Sequence, residues 1–131
     1  MKKIEQNKAL NTKIAITGMG IISAIGNSVS QNLDALLASK SGIGSISAIQ
    51  THHANSIKVG EVKLSNTELI NLLNLPENNT FTRTALLGLY AAKQAMLNAN
   101  ITNIQSYKTG FISSTSVGGM DKTEIHLKEF T

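Results

Sequence analysis

The sequence predicts an α/β fold, a mostly parallel sheet with a buried helix against it, and three observations predict it. Short strand-like runs at Lys13 to Thr17, Ile57 to Val62 and Gly110 to Ser113 alternate with stretches of helical periodicity. Such alternation implies right-handed crossovers onto a parallel sheet. One helix, roughly Thr82 to Asn98, carries apolar residues around nearly its whole circumference, the pattern of a helix enclosed by other layers. Charged residues make up 15% of the 131, well under the ~25% of an average soluble domain, which suits a heavily buried chain.

Residues 1–12 form a polar leader whose basic start runs into polar residues instead of an apolar stretch, so it is no secretory signal. Lys13 to Thr17 reads as a strand buried on both faces. It leads into an apolar loop, residues 18–26, punctuated by Gly18, Gly20 and Gly26. Ser28 with Gln31 makes a capping-box pattern, and Val29, Leu33, Leu36 and Leu37 continue a helix expected to stop near Gly42. Ile57 to Val62 reads as a strand with Ile57 and Val59 on one side of the pleat. Ser65 with Glu68 opens a short helix through Leu69, Leu72 and Leu73 that Pro76 ends. In the third helix the small residues Gly88, Ala91, Ala92 and Ala95 would admit another element at close range. Gly110 to Ser113 then runs into Ser114-Thr115-Ser116-Val117-Gly118-Gly119, and Asp121 with Glu124 starts a helix that reaches Thr131 without a stop signal. About three strands cannot cover an all-round apolar helix on both sides, so residues 13–131 are expected to be an incomplete domain.

Composition excludes several functions. The charge of +4 arises from 12 basic and 8 acidic residues, with lysines spread along the chain, a single arginine (Arg83) and 4% aromatics. A nucleic-acid binder clusters its cations and supplies stacking rings, so none is expected, although a mildly basic face suits an acidic protein partner. The absence of cysteine removes disulfides, thiolate metal sites and a cysteine nucleophile. No apolar run approaches the ~20 residues of a membrane span, and a cytoplasmic location is expected.

Gly18-x-Gly20 after a strand invites a dinucleotide fingerprint. The third glycine is replaced by Ser23, however, the helix opens only near Ser28, and no acidic residue follows at the required distance. A structural loop and no cofactor are expected. His52 and His53 diverge as neighbours on an irregular stretch, and His126 stands apart, so no metal is expected. Ser113 to Ser116 lacks the glycine-flanked elbow of a catalytic serine. The hydroxyl- and glycine-rich loop there reads equally as a cavity lining, with Val117 pointing inward, or as a plain turn.

Taken in order, Ile14-Ala15-Ile16-Thr17-Gly18-Met19-Gly20-Ile21-Ile22-Ser23 with Gly26, then Leu36-Leu37-Ala38-Ser39-Lys40-Ser41-Gly42-Ile43, Gly60-Glu61-Val62, the helix around Ala91-Ala92, and Val117-Gly118-Gly119-Met120 resemble the N-terminal part of the β-ketoacyl-[acyl carrier protein] synthases of the thiolase-like superfamily. The resemblance implies a partial thiolase-like fold, part of the N-terminal α-β-α layered half. It implies a decarboxylating Claisen condensation between an acyl thioester held on a cysteine and malonyl-carrier protein. It also implies acyl carrier protein as partner and a homodimer or ketosynthase heterodimer. The family's cysteine, activated at a helix N-terminus, and its two assisting histidines would lie beyond Thr131. No catalytic residue is therefore carried over, and His52, His53 and His126 match none of those motifs. Val117 aligns with the residue before the paired glycines that lines the acyl pocket, and Gly18, Gly20, Gly26, Gly118 and Gly119 are structural loop glycines. Phe81-Thr82-Arg83-Thr84 departs from the acidic-basic pair of many relatives and leaves the subfamily open.

Two functional classes follow, an enzyme of lipid or polyketide synthesis of which this chain is an inactive N-terminal piece, and a non-catalytic partner subunit of the chain-length-factor kind. A small free-standing binding module is disfavoured by the apolar surface it would expose.

Overall fold

The computed structural model describes residues 13–129, with side chains as far as Leu127; the leader, residues 1–12, and residues 130–131 lie outside the described residues. The elements in order are α1 (Val29–Leu37), β1 (Ile43–Ser45), β2 (Lys58–Gly60), α2 (Asn66–Leu73), α3 (Arg83–Asn98), a 3-10 turn at Ile104–Ser106, and α4 (Met120–Glu129). The four helices coincide with the four expected from periodicity.

Each of the first three helices starts on a side-chain cap. Ser28 Oγ accepts the Gln31 amide at 3.2 Å, while the Gln31 carboxamide oxygen accepts from Asn27 instead of from Ser28, so the expected box is displaced by one residue. In α2 the box is complete, with Glu68 N–H donating to Ser65 Oγ at 3.2 Å and Ser65 N–H donating to the Glu68 carboxylate at 2.7 Å. Thr82 Oγ1 accepts from Ala85 to start α3. All three end alike. Ser39, Asn74 and Asn100 adopt φ of 52°, 57° and 54°, and the amide after each reaches five residues back, Lys40 to Ala35, Leu75 to Ile70 and Ile101 to Met96. That left-handed stop closes the orphan carbonyls of a helix end. The stop expected at Gly42 therefore comes three residues early, at Ser39. Gly42 is needed for another reason, because a Cβ there would lie 2.8 Å from the Cβ and carbonyl of Ala24.

The mostly parallel sheet is corrected. The sheet among the described residues is a two-stranded antiparallel one in which Ile43, Gly44 and Ser45 face Gly60, Val59 and Lys58. β2 lies inside the expected run Ile57 to Val62, whereas β1 was not expected. The runs at 13–17 and 110–113 form no ladder among the described residues. Parallel strands require cover on both faces, and here Ile14 is 96% and Ile112 98% exposed.

The packed centre is small. α2 lies on α3, burying Leu69 and Leu86, and α1 adds Ala35 and Asn32. Lys93 of α3 donates to the carbonyl of Leu72 at 2.7 Å, a cation at the C-terminal end of α2 where the helix dipole favours it. The Arg83 guanidinium joins the start of α3 to the segment before α2, donating to Val62 O, Leu64 O and Asn66 Oδ1 at 2.8–3.0 Å. The expected enclosure of α3 is only partial, since Leu86 alone of its side chains is buried while Leu89 and Leu97 are exposed.

Glu61, the residue after β2, ties the hairpin to the segment that follows β1: its carboxylate accepts from the Ser47 amide and hydroxyl and from the Ala48 amide at 2.8 Å, with Lys63 at 3.9 Å. The Ser47 hydroxyl, then the Ala48 amide, hold this carboxyl below the ordinary carboxylate pKa. A depressed folded-state value stabilises fully above the unfolded value and is lost as pH falls through the folded one. Glu68 is shifted the same way by the Ser65 amide. Glu61→Gln should thus flatten, without abolishing, the acid-side loss of hairpin structure followed by circular dichroism or amide exchange; an unchanged acid profile would count against this role.

Candidate functional site

Two glycine-bearing loops meet α3, one along its flank and one at its start. Residues 18–22 cross the face made by Ala91, Ala95 and Ala99 so closely that a Cβ on Gly20 would stand 1.9 Å from the Ala91 carbonyl oxygen, and one on Gly18 2.2 Å from that of Ala95. Backbone meets backbone there, and only glycine permits it. Polar side chains of α3 lock the contact, with Met19 N–H donating to Asn98 Oδ1 at 3.0 Å and Gln94 Nε2 donating to the carbonyls of Ile21 and Asn27 at 3.2 and 3.0 Å. The loop then turns back on itself. Ser23 and Gly26 exchange backbone hydrogen bonds, and the buried Asn32 of α1 donates to Gly26 O and Ser28 O at 2.9 and 2.8 Å while accepting from Ser23 Oγ. Gly26 packs against Asn32, to whose amide nitrogen a Cβ would come within 2.7 Å.

Asn32, Gln94 and Asn98 escaped the reading of the sequence. The signal was present, since Asn32 lies between Val29 and Leu33 near the apolar stripe of α1 and Gln94 interrupts the apolar girdle of α3. A buried amide in an apolar helix has to find partners, and an adjacent glycine-rich loop offers carbonyls. Along the other side of this loop runs a groove of about 620 Å³, lined among others by Met19, Ile21, Val29, Leu33 and Leu36.

The second loop, residues 114–119, rests on the N-terminus of α3. A Cβ on Gly118 would sit 3.3 Å from Thr84 Cγ2 and 3.1 Å from Thr115 Cγ2, and Gly119, at φ +89°, faces Thr82 Cγ2. Asp121, in the first turn of α4, accepts the backbone amide of Arg83 at 2.9 Å and ties the two helix starts together. Val117 is 69% exposed on this loop and does not line the 620 Å³ groove beside the first loop.

The histidines occupy two separate places. His52 and His53 are exposed on a turn where His53 O accepts from Ser56 and Ile57, and His126 lies on α4. Among the described residues no three His, Asp or Glu side chains converge as metal ligands, and no helix is long and apolar enough to cross a membrane.

Comparison with known proteins first defines a class of domain. The profile described as "Beta-ketoacyl synthase, N-terminal domain" matches residues 11–130. The 3-oxoacyl-[acyl-carrier-protein] synthase 2 of Staphylococcus aureus (strain N315) is 30% identical over 121 residues, covering 91% of this chain and 29% of that protein. The synthase 2 of Coxiella burnetii is 30% identical over 113 residues, covering 82% and 26%. No solved structure matches. The chain belongs to the β-ketoacyl synthase family and matches its N-terminal portion in part. It spans just under a third of the length of these relatives.

The glycine contact yields a paired expectation. Gly20→Ala should destabilise the chain by about 3 kcal/mol or more, because backbone must move to admit the methyl. Gly88, within α3 with open space around its Cα, should instead stabilise by up to ~1 kcal/mol when changed to Ala. Urea melts of the two variants measure the difference, and similar shifts would remove the close contact as the reason for Gly20.

Proposed function

We propose that this chain is the N-terminal part of a β-ketoacyl-[acyl carrier protein] synthase working in fatty-acid or polyketide-type biosynthesis in the cytoplasm. The match of residues 11–130 to the family's N-terminal domain carries the reading, and the names of its relatives give the carrier-protein chemistry. In the parent protein, an acyl group held as a thioester is attacked by the carbanion that malonyl-carrier protein forms on losing carbon dioxide. The new carbon–carbon bond yields the 3-oxoacyl product on the carrier, and the thiolate leaves. The nucleophile is a cysteine, and this chain has none, so the 131 residues alone are inactive. The acyl carrier protein and acyl and malonyl thioesters are the partners of the parent, which works as a homodimer or a ketosynthase heterodimer.

Within this chain the contribution is scaffolding and pocket shape. The loop of Gly18, Gly20 and Gly26 lays a rigid layer over α3, and Val117, placed by Gly118 and Gly119 over the start of α3, lines the acyl pocket. Its 69% exposure leaves the side chain free to face an acyl chain or a further wall of the pocket.

Three measurements test this. The purified chain, given acyl- and malonyl-carrier protein, should release no carbon dioxide and form no 3-oxoacyl product, and turnover would overturn the inactivity. The coding sequence after Thr131 should continue into a cysteine at a strand–helix junction; glutamine or another residue there would replace the synthase with a non-catalytic partner subunit. In the full-length protein Val117→Phe should depress kcat/KM for long acyl primers about tenfold more than for short ones, on the order of the discrimination a few methylenes provide in an apolar pocket. An unchanged chain-length profile would remove Val117 from the pocket.

A further inference from the structure

The acyl-pocket reading leaves one residue of the second loop without a task. Asp121 stands four positions after Val117, and its carboxylate accepts the amide of Arg83 across 38 residues of sequence. Arg83 is the first residue of α3, so its N–H is one of the four that a helix start leaves without an internal partner. Thr82 caps the start by accepting from Ala85, and Asp121 takes a second of these amides from outside the helix. The loop between has little else to hold it. Residues 110–118 make no backbone–backbone hydrogen bonds among the described residues, and Gly118 and Gly119 lie against the methyl groups of Thr84 and Thr82, contacts without direction. Arg83 itself is anchored, its guanidinium gripping the carbonyls of Val62 and Leu64. A chain of directional bonds thus runs from the segment before α2, through Arg83, to Asp121 and the start of α4, with Val117 just upstream.

The geometry points to Asp121 as the positioning residue that sets where Val117 stands, and so how sharply the pocket discriminates by acyl-chain length. This inference rests on the pocket reading of Val117. Asp121 is assigned a positioning role and not a place in the acyl pocket. It acts by fixing the register between the starts of α3 and α4, and Gly119, at φ +89°, is the point about which the loop would swing once that bond is lost.

The test is a double-mutant cycle in the full-length protein, reading the ratio of kcat/KM for a short and a long acyl primer. Val117→Phe alone reports on the pocket reading. In the Val117→Phe background, Asp121→Ala should relieve the penalty on the long primer by threefold or more, because a loosened loop lets the phenyl ring withdraw. Asp121→Asn, equal in size and still an acceptor but a weaker one, should relieve it less. Non-additivity in this ratio separates positioning from a general loss of stability, which would lower both primers together. Effects of Asp121→Ala and Val117→Phe that combine additively within twofold would overturn the inference while leaving Val117 in the pocket. Should Asp121→Ala not fold, Asp121→Asn decides alone, and strict additivity in that variant overturns it equally. If Val117→Phe leaves the profile unchanged, both the pocket reading and the inference fall.

Discussion

The contact on which the described fold depends is one of backbone on backbone, residues 18–22 against the Ala91–Ala95 turn of α3. With any side chain at position 20 the loop would have to lift off, and the three polar bonds that follow from its seat would go with it. Met19 could not reach Asn98, and Gln94 could not reach the carbonyls of Ile21 and Asn27. Gln94 matters beyond its two bonds, because Asn27 immediately precedes the cap of α1. The same side chain therefore sets where α1 begins relative to α3, and Asn32, satisfied on both its nitrogen and its oxygen, secures the turn between them. Asn32 is the buried member of this set, and leaving its amide unpaired would cost about 1–3 kcal/mol.

α3 is consequently the hub. Its flank receives the glycine loop, α2 lies on another side, and its first turn carries the Arg83 clamp and the Asp121 bond. Small residues do separate work on this one helix. Ala91 and Ala95 admit the loop, while Gly88 faces open space. The β1–β2 hairpin is organised independently, by the Glu61 carboxylate gathering the amides of Ser47 and Ala48.

Helices were legible because their signals are local. Ser28, Ser65 and Thr82 cap where a short hydroxyl precedes an apolar periodicity, and the structure follows them within a residue. Their ends were less legible. Ser39 takes a left-handed φ with no glycine to advertise it, while the glycine that drew attention, Gly42, serves packing against Ala24. The hairpin was half legible, since Ile43 to Ser45 holds too few residues to show a period of two, and its pairing with Lys58 to Gly60 depends on the Glu61 clamp across 13 and 14 residues. For the site, glycine spacing located both loops. The side chains that fix them, Gln94, Asn32, Asn98 and Asp121, act over long separations and carry no spacing rule.

The expected parallel sheet failed for a reason that bears on the family reading. A strand apolar on both faces is stable only between layers, and Ile14, Ile16, Phe111 and Ile112 stand almost wholly in solvent, without a ladder. Burying an isoleucine side chain contributes ~1.5–3 kcal/mol, so these residues are costly to leave exposed and would be selected only where something covers them. α3 repeats the pattern, with Leu89 and Leu97 bare and a 330 Å³ apolar groove opening beside Leu73, Ala92 and Met96. The two uncovered runs and the bare flank of α3 thus leave more apolar surface than the described helices and hairpin cover.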